Sequence, residues 1–98
     1  MFWLLLYDLA EDYLDRRPPL RPAHLALAKA AHASGALVYA GALDDPADRA
    51  VFVWRTDDPS IMEEFARHDP YVEEGLVTSW HVRRWNVAIG PDVEPPAL

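Results

Sequence analysis

The sequence predicts a single α+β domain of the ferredoxin-like βαββαβ class, in which two helices cover one face of an antiparallel sheet. Two observations predict it. Apolar and helical segments follow one another in the order strand, helix, strand, strand, helix, strand. In the first and third strands both alternating sets of side chains are apolar, so neither face of the sheet has the polar character of a solvent-exposed face. We place this domain at residues 1–88 and a Pro-rich tail at residues 89–98.

The first half of the chain is predicted to form a strand, a helix and a second strand. The first strand covers residues 2–8, and the polar, proline-containing residues 9–21 form a connection or a frayed helical turn. The helix covers residues 22–34, because its proline suits the first helical position and the segment is rich in Ala and Leu. Gly35 supplies the left-handed residue that ends helices. The second strand covers residues 36–43.

The second half is predicted to repeat this pattern in the order strand, helix, strand. A turn over residues 44–48 leads to the third strand over residues 49–55. Asp58 is expected to cap the second helix, which ends at Asp69 because the next residue is a proline. After a turn closed by a glycine, the fourth strand covers residues 77–87. The buried side of the second helix is predicted to consist of Ile61, Met62, Phe65 and Ala66.

Charge and composition exclude several classes of partner. The formal net charge of −7 repels phosphate backbones and anionic lipids, so we expect no nucleic-acid and no membrane partner. The first residues carry no basic leader, and the absence of cysteine fits a reducing cytosol, so a cytoplasmic location is expected. His32, His68 and His81 lack the spacing of metal ligands. We therefore expect no metal site and no cofactor.

The predicted sheet has one face that the two helices do not cover. Apolar side chains on both sides of the first and third strands leave this face hydrophobic. A large exposed apolar patch is unusual for a soluble monomer, and a chain of 98 residues has a small core. We therefore expect a homodimer in which two sheets pack face to face.

Two segments at helix ends carry the candidate site. His24 lies in the first turn of the first helix, and Asp69 ends the second helix. A carboxylate bound to one imidazole nitrogen leaves the other free to exchange a proton with a substrate, so His24 and Asp69 are candidate catalytic residues. The alternative is a core histidine and an aspartate that caps local backbone.

Three further residues are candidates for substrate binding. The hydroxyl of Tyr71 is able to bind a ligand, or the ring only fills space. Arg21 either holds a substrate carboxylate with two hydrogen bonds or pairs with a nearby acid such as Asp15. Gly41, in the second strand, permits close approach of a ligand or a neighbouring segment.

These segments, in this order, resemble the YCII-related (YciI-like) family over the chain up to about Val87. The resemblance is carried by residues 21–25, by Gly35 and Gly41, and by residues 69–76. It implies a dimeric ferredoxin-like α/β barrel with an active-site histidine and aspartate, which map onto His24 and Asp69. Characterised members include a dehydrochlorinase that eliminates chloride from an intermediate of aromatic degradation. Family members often have proline after the second-strand glycine, where this chain has Ala42, so the shape of the cavity entrance is expected to differ.

Two functions from different classes follow. The first is a cofactor-independent enzyme for proton transfer or elimination on a small organic acid, with a lyase-like or isomerase activity. The second is a non-catalytic metabolite-binding or regulatory dimeric module. Dimeric barrels such as the antibiotic-biosynthesis monooxygenases and muconolactone isomerases share the fold without these motifs, so fold alone does not decide.

Overall fold

The computed structural model describes residues 1–91 and residue 93. Within them lie a four-stranded sheet and helices on one of its faces, an α+β fold. None of these helices has the length and apolar character needed to cross a membrane. In chain order the elements are β1 Phe2–Leu9, α1 Tyr13–Arg16, α2 Arg21–Ala33, β2 Leu37–Ala42, β3 Arg49–Arg55, α3 Ser60–His68, α4 Pro70–Glu73 and β4 Val77–Trp85.

The sheet has the strand order β2-β3-β1-β4, and every neighbouring pair is antiparallel. β1 lies inside the sheet, where Leu5 faces Phe52 of β3 on one side and Val82 of β4 on the other. The four predicted strands and the two predicted main helices are confirmed, with ends shifted by no more than two residues. This is the ferredoxin-like arrangement that the sequence predicts.

Two segments differ from their predicted form, and a third matches one of its two predicted alternatives. Residues 9–21, predicted as a connection or a frayed helical turn, contain the short helix α1, which buries the ring of Tyr13. The turn after Asp69 is the short helix α4. β4 ends at Trp85 and not at residue 87, because Trp85 already pairs with Phe2 at the start of β1 and no further β1 partner follows. Residues 92 and 94–98 of the predicted tail lie outside the described residues.

The hydrophobic core lies between the sheet and α2 and α3. Alternate residues of β1 and β3 face the helices, as the period of two in a strand requires. The predicted buried side of α3 is confirmed, except that Ile61 is only half-buried. The principal core side chains are Leu5, Tyr7, Ala28, Phe52, Trp54, Met62, Phe65 and Ala66.

The opposite face of the sheet remains uncovered by any described element. Its central residues are apolar and only half-buried, and they face one another across the strands in register, Leu4 beside Val53 and Leu6 beside Val51. Arg83 and His81 of β4 flank them on the other side of β1. Both faces of β1 and β3 are therefore apolar, as expected, but only one of them is covered within the chain.

Leu5→Ala is expected to lower the free energy of unfolding by about 2–5 kcal/mol, because Leu5 is completely buried at the centre of the sheet. Leu14→Ala is the matched control, since Leu14 is 53% exposed, and it should change stability by about 0.5 kcal/mol or less. Urea unfolding followed by tryptophan fluorescence measures both. Equal effects of the two substitutions would show that the sheet–helix interface is not the core of this protein.

Candidate active site

His24 is placed by the first turn of α2. The helix begins at Arg21, one residue before the predicted start, and Pro22 lies within its first turn, where the missing N–H costs nothing. The His24 backbone N–H donates to the Leu20 carbonyl at 3.1 Å, so the residue is held by the helix from its start. The imidazole points inwards and is buried.

Asp69 is placed by the break between α3 and α4. Pro70 disfavours the α conformation at the preceding residue, and Asp69 is extended with φ −76° and ψ 120°. This turns the carboxylate into the core, where it is completely buried. One oxygen accepts the Tyr71 backbone N–H at 3.0 Å. Asp69 therefore does cap local backbone, as the alternative hypothesis held, but this occupies only part of the carboxylate.

The structure brings His24 and Asp69 into direct contact across 45 residues of sequence. His24 Nδ1 lies 2.9 Å from Oδ1 and 2.9 Å from Oδ2 of Asp69. Because an ionised carboxylate only accepts, Nδ1 carries the proton and donates it to Asp69. In the neutral ring Nε2 is then the nitrogen with a free lone pair.

Tyr7 of β1 is a third partner of the same carboxylate. Its hydroxyl donates to Asp69 Oδ2 at 2.7 Å. Burial, the negative charge of Asp69 and this hydrogen bond all raise the pKa of Tyr7 well above its ordinary value of 10.0, so the phenol keeps its proton. Asp69 thus accepts hydrogen bonds from a phenol, an imidazole and a backbone amide, one from each of three parts of the fold.

Aromatic rings fix the plane of the imidazole. The His24 ring stacks on the Tyr71 ring with centroids 3.9 Å apart and planes 7° from parallel. The ring of Phe52 in β3 lies edge-on to the His24 ring, with centroids 6.2 Å apart. The ring of Tyr13 in α1 lies edge-on to the Tyr71 ring, with centroids 5.7 Å apart. The imidazole therefore has a single orientation, set by packing as well as by Asp69.

His24 lines a half-open cavity of about 290 Å³ between α2 and the edge of the sheet. Its wall combines basic and aromatic side chains with the small residues of β2. The predicted substrate-binding residues Arg21, Gly41 and Tyr71 all line this cavity as well. Asp69 does not line it and lies behind the imidazole. A histidine that is both buried and on a cavity wall differs from an ordinary core histidine, which faces only other core atoms.

The surroundings of Arg21 and Gly41 narrow the alternatives that the sequence leaves open for them. Among residues 1–91, Arg21 forms no ion pair, so the predicted alternative of a pair with Asp15 is wrong. A Cβ built on Gly41 would meet nothing within 4 Å, so no described segment makes the close approach that the glycine would allow. That space is open to a ligand or to a second chain.

The other histidines lie apart from the His24–Asp69 pair. His68, in the last turn of α3, is exposed and its Nδ1 donates to the Glu64 carbonyl at 2.8 Å. His32 lines the far part of the cavity and its Nδ1 donates to the Leu37 carbonyl at 2.7 Å. The described residues contain no group of three metal-ligating side chains.

Tyr7 and Arg17 belong to this site and are not predicted from the sequence. Tyr7 looks like one more apolar residue of a buried strand, and the only signal is that a buried phenol requires an acceptor. Arg17 lies in the segment predicted as a connection or a frayed helical turn, and nothing in its neighbourhood of prolines and acids marks it as a site residue. Both residues join the site through tertiary contacts.

The sequence-family model of the YCII-related domain matches residues 1–86 of this chain. The chain belongs to the YCII-related family. Among solved structures it is similar to 5-chloro-2-hydroxyhydroquinone dehydrochlorinase from Burkholderia phenoliruptrix AC1100, in complex with 2,5-dihydroxybenzoquinone. The TM-score is 0.73 at 20% sequence identity, over 88% of this chain and 94% of that one. No curated protein matches. At this identity the comparison establishes that the two chains share a fold.

Tyr7→Phe is expected to lower the free energy of unfolding by about 1.5–3 kcal/mol near neutral pH, because the buried Asp69 carboxylate loses a hydrogen bond. The raised pKa of Tyr7 makes this contribution fully present below the unfolded-state pKa of about 10, and it is lost as pH rises towards the folded-state pKa. The stability difference between wild type and Tyr7→Phe should therefore shrink above about pH 10.

Urea unfolding near pH 8 and near pH 11 measures this difference. Tyr39→Phe is the matched control, since Tyr39 is 74% exposed and its substitution should have little effect at either pH. A Tyr7→Phe effect that is absent near pH 8, or that grows above pH 10, would contradict the assigned hydrogen bond.

Proposed function

We propose that this protein is a cofactor-independent enzyme that performs proton transfer or elimination on a small organic acid, with His24 as general base and Asp69 as its positioning partner. The observation that supports it best is the dual position of His24. Its Nδ1 is bound by a completely buried carboxylate, while the ring lines a half-open cavity. Arg21, Gly41 and Tyr71 are the residues proposed to contact the substrate.

The proposed step is removal of a proton from an acidic carbon or hydroxyl of the substrate. His24 Nε2 accepts the proton and the ring becomes an imidazolium, whose charge is balanced by Asp69. The electron pair left behind either shifts to a neighbouring carbonyl oxygen, giving an isomer, or expels a leaving group as an anion. Return of the proton to product or water restores the neutral base. Asp69 takes no proton in this step and keeps the hydrogen bonds from its three donors.

The structural similarity to a dehydrochlorinase favours the elimination form. The similar solved protein is by its name a dehydrochlorinase, and loss of HCl is base removal of a proton coupled to departure of chloride. We extend to this chain only the chemistry of that step, which a histidine base supplies without any cofactor. A non-catalytic metabolite-binding module with the same cavity is the alternative, and it predicts binding without exchange or turnover.

Base catalysis is testable before the physiological substrate is known. Ligands are found by thermal shift with small carboxylic acids, lactones and their chlorinated forms, since a ligand stabilises the native state according to its occupancy. Wild-type protein should then catalyse exchange of an acidic C–H of a bound ligand with D₂O, followed by proton NMR. His24→Gln should slow this exchange by about 10²–10⁴-fold, the usual contribution of a general base.

His68→Gln is the matched control, because His68 is an exposed histidine at the end of α3. It should exchange ligand protons at the wild-type rate. If His24→Gln binds the ligand and exchanges its protons as fast as wild type, His24 is not the base. If no bound ligand exchanges or turns over with wild type, the binding-module alternative replaces the enzyme.

We also propose that two chains form a homodimer through the uncovered sheet face. Support comes from the half-buried apolar residues of that face, which include Leu4, Leu6, Val51 and Val53. Covering such a patch contributes about 25 cal/mol per Å² of apolar surface removed from water. A second copy presents the same patch, so the contact is self-complementary.

Leu4→Glu should convert a two-chain particle into a single chain, because it places a carboxylate at the centre of the proposed contact. Light scattering after size exclusion at micromolar concentration measures the mass. Leu14→Glu is the control, since Leu14 is exposed on α1 and its substitution should keep two chains together. A wild-type mass equal to one chain would contradict the dimer.

A further inference from the structure

The wall of the active-site cavity carries an excess of positive charge. The sequence has sixteen acidic residues and a formal net charge of −7, yet no aspartate or glutamate side chain is among the residues that line the cavity. Arg17, Arg21 and Lys29 do line it. In a chain this acidic, basic side chains gathered without acids point to a ligand that brings its own negative charge.

Arg17 and Arg21 both line this cavity and lie one helical turn apart. Arg17 follows α1, and its carbonyl accepts the Arg21 backbone N–H at 2.8 Å, which is the i→i+4 bond of a helical turn. Side chains four residues apart in such a turn are neighbours. Both are half-buried, and the Arg17 guanidinium lies 5.4 Å from the centroid of the Tyr13 ring.

Neither guanidinium has an anionic partner among residues 1–91. The neighbouring Arg16 shows the contrast, since it pairs with Asp12 at 3.4 Å and donates to the Glu74 carbonyl at 2.7 Å. Like charges at this spacing repel, and burial strengthens the repulsion. The Arg17–Arg21 pair is thus left with an uncompensated positive charge that faces the cavity.

The Tyr71 hydroxyl lies at the same place and is also unsatisfied. Tyr71 is 1% exposed, and its oxygen lies near the Arg21 side chain, but the O–H group has no acceptor in the part of the chain that the structure describes. Burial and the neighbouring Tyr13 raise the pKa of Tyr71, while the polar contact with the Arg21 side chain and the charges of Arg21 and Arg17 act in the opposite direction. The phenol therefore stays an O–H donor. A buried donor without an acceptor destabilises the protein, so an acceptor from outside is favoured.

We propose that Arg17, Arg21 and the Tyr71 hydroxyl form a carboxylate-binding subsite, and that the substrates are small carboxylic acids with an apolar or aromatic body. A planar carboxylate accepts two-pronged hydrogen bonds from guanidinium groups and has lone pairs left for the phenol. The apolar body faces the hydrophobic part of the cavity wall. This inference rests on the proposed function for the reaction, and it adds Arg17 as a specificity-determining residue.

The apolar part of the wall supports an apolar substrate body. Leu25 and Ala28 of α2, Leu37 of β2 and Phe52 of β3 also line the cavity. His24 lies on α2 between Arg21 and Ala28, so the base lies between the carboxylate subsite and the apolar part. A substrate held by its carboxylate would present a carbon close to that carboxylate to the imidazole.

Matched pairs of ligands test the subsite without any assay of turnover. Benzoate and but-2-enoate are compared with benzamide and but-2-enamide by calorimetry and by NMR titration at millimolar concentration. Wild type should bind each acid at least about tenfold more tightly than its amide. Arg17→Met should remove most of this preference. Arg67→Met makes the same change of charge at an exposed site on α3 and should keep it.

Tyr71→Phe separates ligand binding from folding. The hydroxyl has no acceptor within the described residues, so its removal should leave the unliganded melting temperature unchanged or higher. The affinity of the Tyr71→Phe variant for benzoate should nevertheless fall. The subsite would be overturned if both Arg17→Met and Tyr71→Phe bound benzoate with wild-type affinity. It would also be overturned if wild type bound acids and amides equally well, or if it bound no acid at millimolar concentration.

Phenyl phosphate and His24→Gln complete the experiment. Tighter binding of phenyl phosphate than of benzoate would overturn the assignment to carboxylates. His24→Gln should bind benzoate with the same Arg17-dependent preference, whether or not any turnover is found. Acid binding without catalysis would thus overturn the proposed enzymatic function and support the subsite. His24-dependent turnover of neutral compounds alone would support the enzymatic function and overturn the subsite.

Discussion

The buried carboxylate of Asp69 is the constraint on which the rest of the structure depends. Moving an ionised carboxylate out of water costs several kcal/mol even after relaxation of the protein. Hydrogen bonds to a charged group return about 1.5–3 kcal/mol each, so a single partner does not suffice and three bring the balance close to zero. The partners come from β1, α2 and the start of α4. These elements must therefore all be in place together, which links the fold directly to the cavity.

The two faces of the sheet have different roles in this structure. One face packs against α2 and α3 and holds the carboxylate, the stacked imidazole and the cavity. The other face is apolar and half-buried, although no described element covers it. For a chain of 98 residues a second subunit on that face would add buried apolar surface without adding length. The site and the proposed dimer contact thus use opposite sides of the same strands.

Much of this fold follows from local signals in the sequence. Gly35 and Gly75, with φ of 90° and 78°, lie where a helix or helical turn must end, and apolar alternation locates every strand. Pro70 breaks the helix at Asp69, and this break predicts where the carboxylate would be. The family resemblance pairs Asp69 with His24. Local signals together with this resemblance therefore predict the pair that the structure brings together.

Other parts of the site depend on contacts that no local pattern encodes. Tyr7 has the same strand pattern as its apolar neighbours, and only the fold brings its hydroxyl to Asp69. The helix α1 forms because Tyr13 packs beside Tyr71, and it carries Arg17 to the cavity. The length of β4 depends on where β1 begins, since a strand ends when its partner does. These features require knowledge of long-range packing.

The protonation of the His24 ring tests the central arrangement most directly. Long-range ¹H–¹⁵N NMR of the imidazole nitrogens, assigned by comparison with His24→Gln, distinguishes the two neutral forms of the ring. We expect the neutral ring to carry its proton on Nδ1, held by Asp69, and the unprotonated Nε2 to shift when an acid ligand fills the cavity. A neutral ring protonated on Nε2, or an Nε2 signal indifferent to a bound ligand, would contradict it.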